Sequence, residues 1–141
     1  MPKASQASLR AAAKPVDEKI TINLGCVDLG QVDLLVQEGF YANRTDLIRT
    51  AIRNQLATHG EVVRDAVARR TLVLGIQHYG QADLEAVQAR GEKLQIRVLG
   101  LAAIAADVSP ALALATIDSI TVLGALHASP AVKAALAERT R

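Results

Sequence analysis

Three polar side chains fall at alternate positions near the start of the chain: Lys19, Thr21 and Asn23. All can hydrogen-bond, and the set suits the edges of nucleobases. Asn pairs bidentately with adenine, Lys reaches guanine, and Thr bonds a base edge or touches a thymine methyl. They share one face only if Lys19-Ile20-Thr21-Ile22-Asn23-Leu24 is a strand, because side chains alternate across a strand. Ile20, Ile22 and Leu24 then share the opposite face and cover a core. From alternation alone, the pattern equally describes a half-buried strand whose polar face is simply solvated.

The elements that must position this strand follow it. Residues 28–38 carry Leu29, Val32, Leu35 and Val36 at helical spacing, and Gly39 ends the run as a C-terminal cap. Phe40 and Tyr41 come next, two of only three aromatic residues in the chain. Asn43-Arg44-Thr45-Asp46 has the form of a capping box, with Asn43 as N-cap and Asp46 reaching back. The helix it opens carries Leu47, Ile48, Ala51, Ile52, Gln55 and Leu56 on one stripe, with Arg44, Arg49 and Arg53 largely off it. Gly60 marks the expected end, with His59 on the exposed last turn. A lone strand before two helices leaves its backbone donors and acceptors unpaired. A second chain must supply the other strand. The expected unit is an obligate dimer with a two-stranded ribbon, which fits the major groove of B-DNA.

Together, KITINL, VDLLVQEGFY and NRTDLIRTAIRNQL resemble the ribbon-helix-helix family of DNA-binding proteins, the CopG/Arc/MetJ type; the resemblance covers about forty of the 141 residues. It implies swapped strands paired antiparallel, with Lys19, Thr21 and Asn23 as base readers. Backbone amides around Asn43, Arg44 and Thr45 would anchor a phosphate, as a helix N-terminus can. Ile20, Ile22, Leu24, Val32, Leu35, Leu47, Ile48 and Ile52 would form the dimer core. The sequence departs from the family at the turn before the first helix, which is Gly25-Cys26-Val27-Asp28 where many members have a proline. Gly30, near the helix start, costs about 1 kcal/mol relative to Ala.

Composition sets the wider bounds. At 141 residues the chain holds one domain or two very small ones. Half of it is apolar and only 2% aromatic, so the expected core is Ala, Leu, Val and Ile. The single cysteine, Cys26, excludes an intramolecular disulfide and a Cys-based zinc site. Residues 1–18 lack the apolar stretch of a secretory signal, and the charge-free runs bounded by Asp107, Asp118 and Lys133 fall short of the roughly twenty residues of a spanning helix. The expectation is a cytoplasmic, nucleoid-associated protein. Net charge is +2: residues 1–60 carry seven Lys/Arg against six Asp/Glu, and residues 61–141 nine against eight. That favours a few well-placed DNA contacts over a broad field, with paired or arrayed copies making up the difference. Residues 1–18 read as a flexible arm whose Lys3, Arg10 and Lys14 can lie along phosphates or in a minor groove.

The second half carries an internal echo. Leu72-Val73-Leu74-Gly75, Ile96-Arg97-Val98-Leu99-Gly100 and Ile120-Thr121-Val122-Leu123-Gly124 share a V-L-G ending, with glycines 25 and 24 residues apart. Helix candidates follow at Gln81 to Ala89 and after Ser109-Pro110 and Ser129-Pro130, each serine an N-cap with proline at the first helical position. The pattern predicts either a small β/α solenoid with repeats of about 24 residues or an ordinary α/β domain in which V-L-G marks strand ends. Both leave edges and a face to be covered by the first half or by another chain.

No nucleophile constellation, phosphate loop or metal-ligand spacing appears; His59, His78 and His127 are scattered. The expected fold class is α+β: a basic arm over 1–18, a ribbon-helix-helix unit for DNA binding and dimerisation over 19–60, and a β/α repeat-like domain over 61–141 for oligomerisation, an effector or a protein partner. The expected function is a sequence-specific DNA-binding transcriptional regulator, repressing by occlusion. It acts on double-stranded DNA as a homodimer or higher even oligomer, with no cofactor, metal, membrane or enzymatic role. The alternatives are an antitoxin of a toxin–antitoxin pair and a self-assembling scaffold that uses the C-terminal repeats.

Overall fold

The computed structural model describes residues 17–141; the expected arm, apart from its last two residues, lies outside them. Helix α1 spans Cys26–Gln37, starting two residues before the 28–38 pattern. Gly25 enters it in extended conformation without a side-chain cap, and Gly30 does not break it. The exit is a Schellman turn, as Gly39 predicted. Gly39 adopts φ +86°, its N–H donates to Val36 O, and the Phe40 N–H donates to Leu35 O, both at 3.1 Å. Helix α2, Arg44–Thr58, then runs back against α1.

Gly60 does not end the helical region; it begins α3, Gly60–Arg69. His59 leaves helical geometry only slightly (φ −98°, ψ 15°), and its carbonyl accepts from Val63 N–H, so the chain re-enters a helix at once. Val63, Ala66 and Val67 recur at helical spacing and are half-buried on one stripe of α3.

Three helix–strand units follow: β1 (Val73–Tyr79), α4 (Gln81–Ala89), β2 (Leu94–Ile104), α5 (Pro110–Thr116), β3 (Ile117–His127) and α6 (Pro130–Ala135), closed by a 3-10 turn at Ala137–Arg139. The strands form one parallel sheet in the order β1-β2-β3. That topology is common to the solenoid and the α/β expectation. Helix α4 has the expected bounds, and Ser109 and Ser129 cap α5 and α6, accepting from Leu112 N–H at 3.1 Å and Val132 N–H at 3.2 Å.

V-L-G does not mark strand ends. Gly75, Gly100 and Gly124 lie inside their strands and side by side in register. Their φ values are +128°, +137° and +121°, a region closed to residues with a Cβ. A Cβ on Gly100 would overlap the Gly75 carbonyl, and one on Gly124 the Gly100 carbonyl. The three kinks sit on one row, so the ladder passes through them unbroken.

The helices cover one face of the sheet. Ile96, Val98, Ala102 and Ile104 of β2 and Ile117 and Ile120 of β3 meet Leu84, Ala113, Val132 and Leu136 in an aliphatic core, as the composition expected. Thr116 is buried and its hydroxyl donates to Leu112 O at 2.7 Å, which satisfies it. Arg139 donates from Nη1 to Leu114 O and Ile117 O, both at 2.7 Å, and pins the C-terminal turn beneath β3. Every buried residue among those described lies between Leu72 and Leu136; α1, α2 and α3 contain none. No described helix is long and apolar enough to cross a membrane.

Candidate nucleic-acid interface

Residues 19–24 take no regular secondary structure and form no strand in the single chain. Among the described residues no neighbouring strand lies beside them to complete a ladder. Lys19, Thr21 and Asn23 are all exposed, and so is the apolar set between them, Ile20 at 73%, Ile22 at 55% and Leu24 at 42%. A folded chain does not ordinarily leave three consecutive same-face aliphatics in water. Helices α1 and α2 show the same incompleteness. Val32, Leu47 and Ile48 are half-buried, whereas Leu35 and Ile52 are exposed. None of the eight residues expected in a dimer core is buried within one chain.

The start of α2 is built in detail. Asn43 Oδ1 accepts from Asp46 N–H at 2.8 Å, and Asp46 Oδ2 accepts from Ala42 N–H at 3.0 Å, so the box closes one residue further back than expected. Leu47 N–H makes the first intrahelical bond, to Asn43 O. The amides of Arg44 and Thr45 precede it and stand at the positive end of the helix dipole. The Asn43 side chain is occupied by the cap. The Arg44 guanidinium is occupied too, by a two-pronged pair with Asp33 at 2.7 and 2.8 Å that ties α2 to α1. That pair holds the Asp33 carboxyl below the ordinary carboxylate range and raises the guanidinium, in each case chiefly through the hydrogen bond. What this corner offers an anion is therefore backbone N–H groups rather than the Arg44 side chain.

Asp33 was not among the residues singled out from the sequence. Its partner is eleven residues away, across a turn, and no helical periodicity links them. The contact of His127 Nε2 with Glu18 Oε1, 109 residues apart, was equally invisible. It fastens the segment leading into Lys19 to the end of β3. Between that segment, α2 and the uncovered face of the sheet lies a cleft of about 770 Å³, where Ile20 and Ile52 face Leu74, Ile76 and Leu101 with Arg49 and Arg53 at its margin. Among the described residues no cluster of three or more His, Cys, Asp or Glu could hold a metal ion, and Cys26 is free and exposed.

Residues 15–133 match the Ribbon-Helix-Helix transcriptional regulator family. The chain belongs to this ribbon-helix-helix family. The match runs through residues 19–24, the helix pair and all three strands of the parallel sheet, so it covers far more than the forty residues whose motifs carried the resemblance. Members of the family bind DNA and typically dimerise, which accounts for an N-terminal unit that is helical, capped and yet without a core of its own. Neither the comparison with curated proteins nor that with solved structures finds a match.

Proposed function

We propose that this ribbon-helix-helix protein is a sequence-specific transcriptional regulator that inserts a dimeric ribbon into the major groove and represses by occupying a promoter. Residues 19–60 are the DNA-binding and dimerisation unit, and residues 61–141 support it as an oligomerisation or effector domain. Lys19, Thr21 and Asn23 read bases, and the amides of Arg44 and Thr45 anchor a phosphate beside them. The observation that carries the reading is the state of residues 19–24: alternating in polarity, exposed at every position and without a strand partner among the described residues. A second copy paired antiparallel would bury Ile20, Ile22 and Leu24 on one side and present two sets of the polar triad on the other.

The test is selection of bound sequences from random duplex DNA with full-length protein and with the variant carrying Lys19→Ala, Thr21→Ala and Asn23→Ala. A short repeated or palindromic motif that the variant no longer enriches is the expected outcome. Equal enrichment by both proteins would remove the triad from base reading.

A further inference from the structure

The sheet has two open edges, and they fit each other. β1 lies against β2 from the row of Val98 onward, with Val73 beside Val98 and Tyr79 beside Ile104. On the far edge the beginning of β3 is taken: Thr140 bridges in parallel to Ile120, and Arg141 N–H donates to Ile120 O. From Val122 to His127, β3 has no strand on its outer side among the described residues. Val122 and Val73 both flank Val98, so the open stretch of β3 occupies the same rows as β1. The tail fills the row that β1 lacks and leaves free the rows that β1 has.

The glycine row makes the fit selective. The Gly75 carbonyl occupies the space a Cβ on Gly100 would need, and the Gly100 carbonyl that of Gly124. Gly75 has the same positive φ, yet among the described residues nothing lies within 4 Å of its own Cβ position. It holds the receiving conformation with nothing to receive. A strand docking there must carry the same kink at the same row, or its ladder breaks at Gly75. Gly124, with φ +121°, carries that kink, and continuing the repeat would aim its carbonyl off the β3 edge as those of Gly75 and Gly100 aim at the next strand. Neither Val73–His78 nor Val122–His127 contains the Lys, Pro or other charge that guards natural edges. Leu74, Ile76 and Leu123 are 68%, 59% and 44% exposed on the uncovered face, and Leu74 and Leu123 belong to one row.

We propose that the occupant of both edges is a second copy of this chain, added head to tail. Val122–His127 of one copy pairs in parallel with Val73–His78 of the next, and the Gly124 carbonyl seats against Gly75. Such a contact is heterologous, so it extends rather than closing in a pair. With ribbon pairing at the other end of each chain, it joins dimers into an array. An array supplies by number the phosphate contacts that a net charge of +2 per chain does not. The sheet contact stands on the C-terminal strands and does not depend on which bases the ribbon reads.

Full-length protein with Cys26→Ser, carrying either Leu74→Cys or Leu123→Cys, tests the junction. Within one chain these positions are separated by β2, about 9–10 Å as two strand spacings and beyond disulfide reach; across the junction they are neighbours. Mild oxidation of the two variants mixed is expected to give a covalent dimer that neither gives alone. No covalent dimer in the mixture overturns the proposal, and a dimer from Leu74→Cys alone replaces it with pairing of like edges. Sedimentation supplies a second reading. Wild-type mass is expected to rise with concentration beyond the dimer, and Val73→Lys, on the open β1 edge and outside the cleft, to stop at the dimer while enriching the same DNA motif. A wild type that never exceeds the dimer overturns the array. Assembly that persists where no DNA motif is found upholds the array and sinks the base-reading assignment instead.

Discussion

At the residue scale, the proposed DNA recognition rests on few side chains, so single substitutions should have sharp effects. Asn23→Ala removes the one side chain of the triad suited to bidentate pairing with adenine. It is expected to cost about 1–3 kcal/mol on a cognate site and to relax preference at a single base pair, read by titrating a panel of single-base variants. Equal weakening on every sequence would make Asn23 a backbone contact. The Asp33–Arg44 pair gives a second expectation, with a definite sign. The folded carboxyl is held below its ordinary value of 3.8, so its contribution is full above that value and fades as pH falls through the lower folded value. Asp33→Asn should therefore flatten the acid limb of the α1–α2 unfolding profile below about pH 4 and lower stability at neutral pH by the same amount, a small one because the pair is exposed. The polar triad was legible in the sequence because a period of two needs no knowledge of the fold. Asp33 was not, because it meets Arg44 only after the Gly39 turn reverses the chain.

At the element scale, local chemistry was the readable part. The Gly39 exit, the Asn43 cap and the Ser-Pro starts of α5 and α6 are short-range arrangements, complete within four or five residues, and each forms as expected. Helix α3 was missed because Gly60 reads as a stop; a helix that restarts after one irregular residue shows no gap in the sequence. The V-L-G segments stand out in the sequence, but the α/β reading makes them strand ends, since an isolated glycine inside a strand is ordinarily costly. Here the cost is shared along a row: Gly100 and Gly124 each leave room for the carbonyl of the strand before them. Gly100→Ala should then be severe, combining backbone strain of about 1–3 kcal/mol with overlap against the Gly75 carbonyl. Gly30→Ala, in open space on α1, should instead stabilise by about 1 kcal/mol. Thermal melts of the two variants check both signs. A tolerated Gly100→Ala would mean that the row relaxes independently in each strand.

At the scale of the whole molecule, the chain is two kinds of structure in one. The sheet and its helices bury a core that one copy completes, whereas the strand segment and its two helices bury nothing alone. If the proposed ribbon dimer covers that unit, its folding is coupled to association, and its stability is set by chain concentration as well as by sequence. Ile22→Asp separates the two. It places a charge in the middle of the face that the ribbon must bury, and burying an unpaired carboxylate is prohibitive. The variant is expected to lose the ribbon dimer and specific DNA binding together. Hydrogen exchange in dilute solution should show the amides of α1 and α2 unprotected, while those of β2, flanked by strands on both sides, exchange as slowly as in the wild type. Protection lost everywhere would mean that the sheet also needs the ribbon to fold. Protection kept in α1 and α2 would mean that one chain completes the helix pair unaided, and the exposed aliphatics of residues 19–24 would then need a partner other than a second ribbon strand.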